Sequence, residues 1–235
     1  MVNMILKSLT LGVLGLPALS LAEDLGAMWG TAEAEAKYYP LIDIPIPPEV
    51  PMHPGSFEIL PDQKLAVGTR RGDVYVITGA FETPPNPTYE LFASGQDEIF
   101  GLSWKDGTLT AIQFGEVTRI KDTDGDGSAD QFHALTNNWG YAEGHEFAFG
   151  SKHDRDGNIW VALGLSGSYK SHNLFRGWAV KVTPDGKMIP VCSGLRSPGG
   201  VAANAEGVMF TIESQGPWNG SCSLKHLKQD HFLGH

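Results

Sequence analysis

The feature that most constrains this chain is a repeat with a period near fifty residues. A hydrophobic stretch, an acidic turn and a β-rich strand recur four times. The copies are "FEILPDQKLAVGT" from Phe57, "LSWKDGTLTAI" from Leu102, "FAFGSKHDRDGNIWVALG" from Phe147 and "VAANAEGVMFTI" from Val201. Their turn acids, Asp62, Asp106, Asp156 and Glu206, lie 44, 50 and 50 residues apart. Strand-turn-strand units at that spacing are the signature of radially repeated sheets, because one such unit cannot bury its apolar face alone.

The turn chemistry agrees. Gly107, Gly157 and Gly207 follow the acid and permit a positive φ between two antiparallel strands. Alternating apolar residues then face one side of the sheet: Leu65 and Val67, Leu109 and Ala111, Ile159 and Val161. Further strands follow in "GDVYVITG", "GEVTRIKD" and "GWAVKVTPDGKMIPV", giving three or four strands per unit. The expected fold is an all-β propeller with about four blades present. Because the chain stops at "KQDHFLGH", inside what should be a blade, the expectation is an incomplete ring; a closed four-bladed ring is the alternative.

Three regions are expected: residues 1–22, 23–54 and 55–235. The first, "MVNMILKSLTLGVLGLPALSLA", has one charge, Lys7, then an apolar run and the small residues of a Ser20-Leu21-Ala22 cleavage site. It reads as a signal peptide, which implies export to the periplasm or beyond. The run is short for a membrane span of roughly 20 residues, so no stable span is expected. The second is a short helix and a Pro-rich lead-in with Pro45, Pro47, Pro48, Pro51 and Pro54. A formal charge of −10 spread along the chain argues against nucleic acid as a partner. Export makes a Cys192–Cys222 disulfide permissible, with two buried thiols as the alternative.

"DTDGDGSAD" sets Asp122, Asp124 and Asp126 at alternate positions, followed by Gly127 and Asp130. Alternating carboxylates on a tight turn converge on a hard cation, and calcium takes six to eight oxygen ligands. The closing position of a twelve-residue calcium loop holds His133 instead of a bidentate Glu, and the flanks read as strands, not helices. The expected role is a calcium brace between strands; an Asx-turn without metal is the alternative.

One stretch carries a more specific likeness. "GLRSPGGVAANAEGVMFTIESQGPWN" resembles the soluble glucose/sorbosone dehydrogenase family, six-bladed propellers that use pyrroloquinoline quinone (PQQ). The wider match is to secreted "putative membrane-bound dehydrogenase" proteins, in which such propellers are often fused to haem domains. The resemblance covers roughly residues 55–235 and implies that four of six blades are present. It implies oxidation of a sugar or polyol, with a cytochrome or haem domain as electron acceptor. Carried over, Arg196 and Gln215 bind the quinone, and the carbonyls of Gly216 and Pro217 hold a calcium on it. His145, ahead of a blade strand, is the base that takes the hydroxyl proton. The departures are that His145 lies five residues before Gly150 rather than about eight, and that Ser197 stands where the family often has Asn. The rival reading is a non-catalytic, calcium-braced propeller that binds a glycan or a protein. In that reading His145 is a core histidine, Arg196 pairs with an acid such as Glu213, and "SQGPW" is a tight turn.

Overall fold

The computed structural model describes residues 32–142, 146–165, 171–215 and 221–235. The chain divides into two compact units, Met1–Asp43 and Ile44–His235. In the first, the described structure is one short helix, α1 (Ala32–Glu35), and exposed residues after it.

The second unit is a four-bladed β-propeller. Blade 1 consists of β1 (Pro54–Leu60), β2 (Lys64–Thr69), β3 (Val74–Thr78) and β4 (Thr88–Ala93). Blade 2 has β5 (Gly101–Lys105), β6 (Thr108–Ile112), β7 (Val117–Lys121) and β8 (Gln131–Thr136). Blade 3 has β9 (Ala148–His153), β10 (Ile159–Leu163), β11 (Trp178–Val182) and β12 (Met188–Ser193). Blade 4 has β13 (Pro198–Ala203), β14 (Met209–Glu213) and β15 (Ser223–His226). Every sheet is an antiparallel meander in chain order.

The first strand of each blade is innermost: β1 packs on β5, β5 on β9, and β9 on β13. Each of these strands has a glycine within its first three residues, where neighbouring strands come close. A Cβ on Gly55 would lie 2.3 Å from the Ile99 carbonyl oxygen, and one on Gly101 2.5 Å from the carbonyl carbon of Gly150. Outside this hub, one apolar cluster fills each gap between blades. Ala66 and Val74 meet Leu102, Leu109, Ala111 and Ile120 between blades 1 and 2. Ile112 and Val117 meet Ile159, Val161 and Val180 between blades 2 and 3. Ala162, Ala179, Val191 and Cys192 meet Met209 and Leu227 between blades 3 and 4.

The lead-in closes the remaining face of blade 1. Ile44, Val50 and Met52 pack on Val67, Tyr75, Ile77 and Ala80, and the Tyr89 hydroxyl donates to the Pro45 carbonyl at 2.9 Å. Prolines suit this segment, since it covers a sheet by side chains without adding a ladder.

The meander sorts the loops onto two faces. Connections between blades and those joining second to third strands lie on one face, here the upper. The turns joining first to second and third to fourth strands lie on the lower face. Asp62, Asp106, Asp156 and Glu206 all fall in first-to-second turns, and Gly107, Gly157 and Gly207 have φ of 77°, 83° and 85°. No helix among the described residues is long and apolar enough to cross a membrane.

Candidate functional site

Arg196 and Ser197 form the turn from β12 into β13, and Gln215 follows β14, so all three belong to the upper face. Arg196 is held from every side. Its backbone N–H donates to Glu213 Oε2 at 2.9 Å, and its carbonyl accepts from Leu165 N–H at 2.8 Å. Its guanidinium donates to the Gln215 carbonyl at 2.7 Å. The Nε is buried and has no hydrogen-bond partner among the described residues. Glu213 is almost fully buried and also accepts the Ser197 N–H at 2.5 Å. Arg196 and Glu213 therefore meet, but through the backbone amide, and no ion pair joins the two side chains among the described residues.

A second polar lock, which the sequence did not disclose, holds the turn from β8 into β9. Glu146 is buried and accepts from the Ala142 N–H, the Ser171 hydroxyl and the Asn173 side-chain amide at 2.9, 2.6 and 2.7 Å. Arg176, equally buried, lies 4.0 Å away and donates to the carbonyls of Gly140, Phe147 and Phe114. Burial pulls its pKa down to about 10, opposed by Glu146, so it stays charged at neutral pH. Its three partner carbonyls come from two other connections, β6 to β7 and β8 to β9, and no spacing in the chain announces that.

Aromatic rings gather on the same face. Phe100, Phe114, Phe147 and Phe149 pack with centroids 4.7 to 5.8 Å apart. Arg70 lies over Phe100 and Phe147 and pairs with Glu98 at 3.1 Å. Tyr141 packs edge-on to Phe114 with half its surface exposed. Below, the four inner strands line an axial cavity of about 340 Å³ whose walls include Phe100, Gly150, Ser151 and Gly199.

The aspartate loop joins β7 to β8 and so lies on the lower face, the end opposite Arg196. Its flanks are strands, as the sequence predicts. Carboxylate oxygens of Asp122, Asp124 and Asp130 lie within 4.8 Å of one another, a span that fits one calcium ion. Asp126 is not brought into this cluster; its Oδ1 caps the Ser128 N–H at 2.8 Å. Asp122 accepts the N–H groups of Gly125 and Gly127, which hold its carboxyl below the usual range. The loop also bonds to the preceding blade, Ala129 N–H to the Phe92 carbonyl at 2.7 Å.

His145, Gly216, Pro217 and the expected signal peptide lie outside the described residues. Cys192 and Cys222 are both free thiols, the first buried in β12 and the second exposed.

Residues 90–233 match a family described as a domain of unknown function, DUF7133. The chain belongs to the DUF7133 family. No curated protein matches this DUF7133 chain. Among solved structures it is similar to a putative oxidoreductase (glucose dehydrogenase) from Thermus thermophilus. That pair has 17% identity and a TM-score of 0.59, covering 77% of this chain and 63% of the other. It is also similar to the PQQ-bound aldose sugar dehydrogenase of Streptomyces coelicolor, at 14% identity and TM-score 0.56, covering 80% and 64%. The third is a calcium structure of a family AA12 carbohydrate-active enzyme from Trichoderma reesei, at 14% identity and TM-score 0.61, covering 83% and 55%. The DUF7133 chain thus shares the propeller fold of these enzymes and spans less than two thirds of their length.

Proposed function

We propose that this chain serves the PQQ-dependent oxidation of a sugar or polyol in an exported propeller dehydrogenase. The observation that carries this reading is Arg196 on the upper face: its backbone is fixed by Glu213 and Leu165, its guanidinium donates to the Gln215 carbonyl, and its buried Nε–H has no hydrogen-bond partner among the described residues. A positive charge with N–H donors, held in place on this face, fits an anionic quinone oxygen. Arg196 and Gln215 would hold the cofactor, and the carbonyls of Gly216 and Pro217 would hold its calcium. PQQ, when bound, supplies a quinone that accepts hydride from the alcohol carbon. Arg196 stabilises the negative charge that this places on oxygen. Neutral His145 takes the hydroxyl proton, so that one hydride and one proton leave the substrate and a carbonyl product forms. A cytochrome or haem domain would serve as the electron acceptor. Asp122, Asp124 and Asp130 hold a separate calcium that braces the lower face.

The test is reconstitution of the purified protein with PQQ and calcium, followed by dye reduction with a panel of aldoses and polyols. Quinone binding with turnover supports the reading; neither binding nor turnover overturns it. One observation favours a second reading, a glycan-binding propeller without cofactor. The exposed Tyr141 ring is seated directly over Gly115, where a Cβ would come within 2.1 Å of it, and such a rigid ring suits sugar stacking. Glycan affinity in a protein that binds no PQQ would support that reading.

A further inference from the structure

Two blades solve the same problem with different side chains. In blade 2, the turn into β5 is held by Gln113, a buried residue at the end of β6, whose Oε1 accepts the Asp97 N–H at 2.6 Å. The two hydrogens of its NH₂ group are shared among acceptors on Gln96, Glu116 and Thr118. In blade 4, the turn into β13 is held by Glu213 at the end of β14, which accepts two consecutive N–H groups, of Arg196 and Ser197. Two adjacent donors need two acceptor oxygens. A glutamine there would point an NH₂ group at one of them, donor against donor.

A buried carboxylate is costly unless something compensates its charge. No described side-chain cation forms an ion pair with Glu213, and among the described residues its bonds run to backbone amides. One of those amides belongs to Arg196. The guanidinium of Arg196 returns to the same strand end, reaching the Gln215 carbonyl at 2.7 Å, and the Ser214 N–H closes on the Ser197 carbonyl at 3.2 Å. Clamp and side chain thus form one short loop of interactions around the end of β14.

We infer that Glu213 is the positioning residue for Arg196, fixing the backbone from which the guanidinium is aimed and so setting the affinity of the upper face for an anionic quinone. This inference rests on the PQQ reading above. Glu213 acts through Arg196 and touches no cofactor itself.

The test is a double-mutant cycle read by PQQ titration of the calcium-loaded protein. Glu213→Gln is expected to weaken PQQ binding tenfold or more, and Arg196→Gln at least as much. The double variant is expected to bind no more weakly than Arg196→Gln alone. Additive losses, or a Glu213→Gln variant with unchanged PQQ affinity, would overturn the inference even if thermal stability falls. A second arm needs no cofactor: the Nε–H resonance of Arg196 in ¹⁵N-arginine-labelled protein, assigned by its loss in Arg196→Lys. It should shift or broaden in Glu213→Gln while the Arg176 resonance stays put; an unchanged Arg196 resonance refutes the positioning role. Glu213→Asp, which keeps the charge but cannot reach both amides, replaces Glu213→Gln if the latter does not fold. If the unmodified protein binds no PQQ, the functional reading fails and the resonance arm alone decides this inference.

Discussion

Gln63 sits at a φ of 57°, beside Asp62 at 60°, in the first-to-second-strand turn of blade 1. The equivalent turns of the other blades have a glycine in that region, Gly107, Gly157 and Gly207. A side chain in the left-handed region costs about 1–2 kcal/mol per residue, so Gln63→Gly should raise stability by about 1 kcal/mol, read by urea denaturation. Arg176 lies at the other extreme. Its loss would leave the buried Glu146 carboxylate without its cation and remove a donor from the Gly140 carbonyl, while the Phe147 and Phe114 carbonyls keep the Gly164 N–H and the Trp139 indole, so Arg176→Ala should cost about 3–5 kcal/mol in the same measurement. The sequence displays Gln63 openly, because turn position follows from the repeat. It hides Arg176, because a cation among carbonyls has no motif.

Within elements, the turn between β9 and β10 is organised by Asp154. Its carboxylate accepts from the Asp156 and Asn158 N–H groups, the Asn158 amide and the Trp160 indole, at 2.8 to 3.0 Å. Burial alone would raise its pKa, but these four donors together outweigh it and lower the value below the ordinary 3.8. A folded value below the unfolded one means stability that is present above about pH 4 and is lost as pH falls through the folded value. Asp154→Asn should therefore flatten the acid limb of the melting temperature measured from pH 5 to pH 2. In β12, burial pushes the Cys192 thiol up to about 11, so it stays protonated and inert at neutral pH. A thiol reagent should find one fast equivalent, Cys222, in the native protein and two in urea. The strand pattern marked where β12 runs, but whether its cysteine faced the core or Cys222 depended on how blades 3 and 4 meet.

For the whole molecule, the consequence of the meander is that the aspartate loop and Arg196 lie on opposite faces. Saturating calcium at a hundred times its dissociation constant should stabilise the fold by about 2.7 kcal/mol, a shift that chelation removes. Asp124→Asn should abolish most of that shift and leave PQQ affinity unchanged, since Asp124 is in the lower loop and Arg196 in the upper turn. Loss of both together would mean that the faces are coupled. By itself, the sequence determined the propeller, its blade boundaries and the acids and glycines of its turns. These are local properties: periodicity, alternation and positive φ repeat with the chain. Only the tertiary structure decided that Asp126 stays out of the carboxylate cluster, that Glu213 clamps the Arg196 backbone and forms no ion pair with its side chain, and that Arg176 ties its own loop to two others. Each depends on distances between stretches that lie far apart in sequence, which packing of the blades sets and no local pattern encodes.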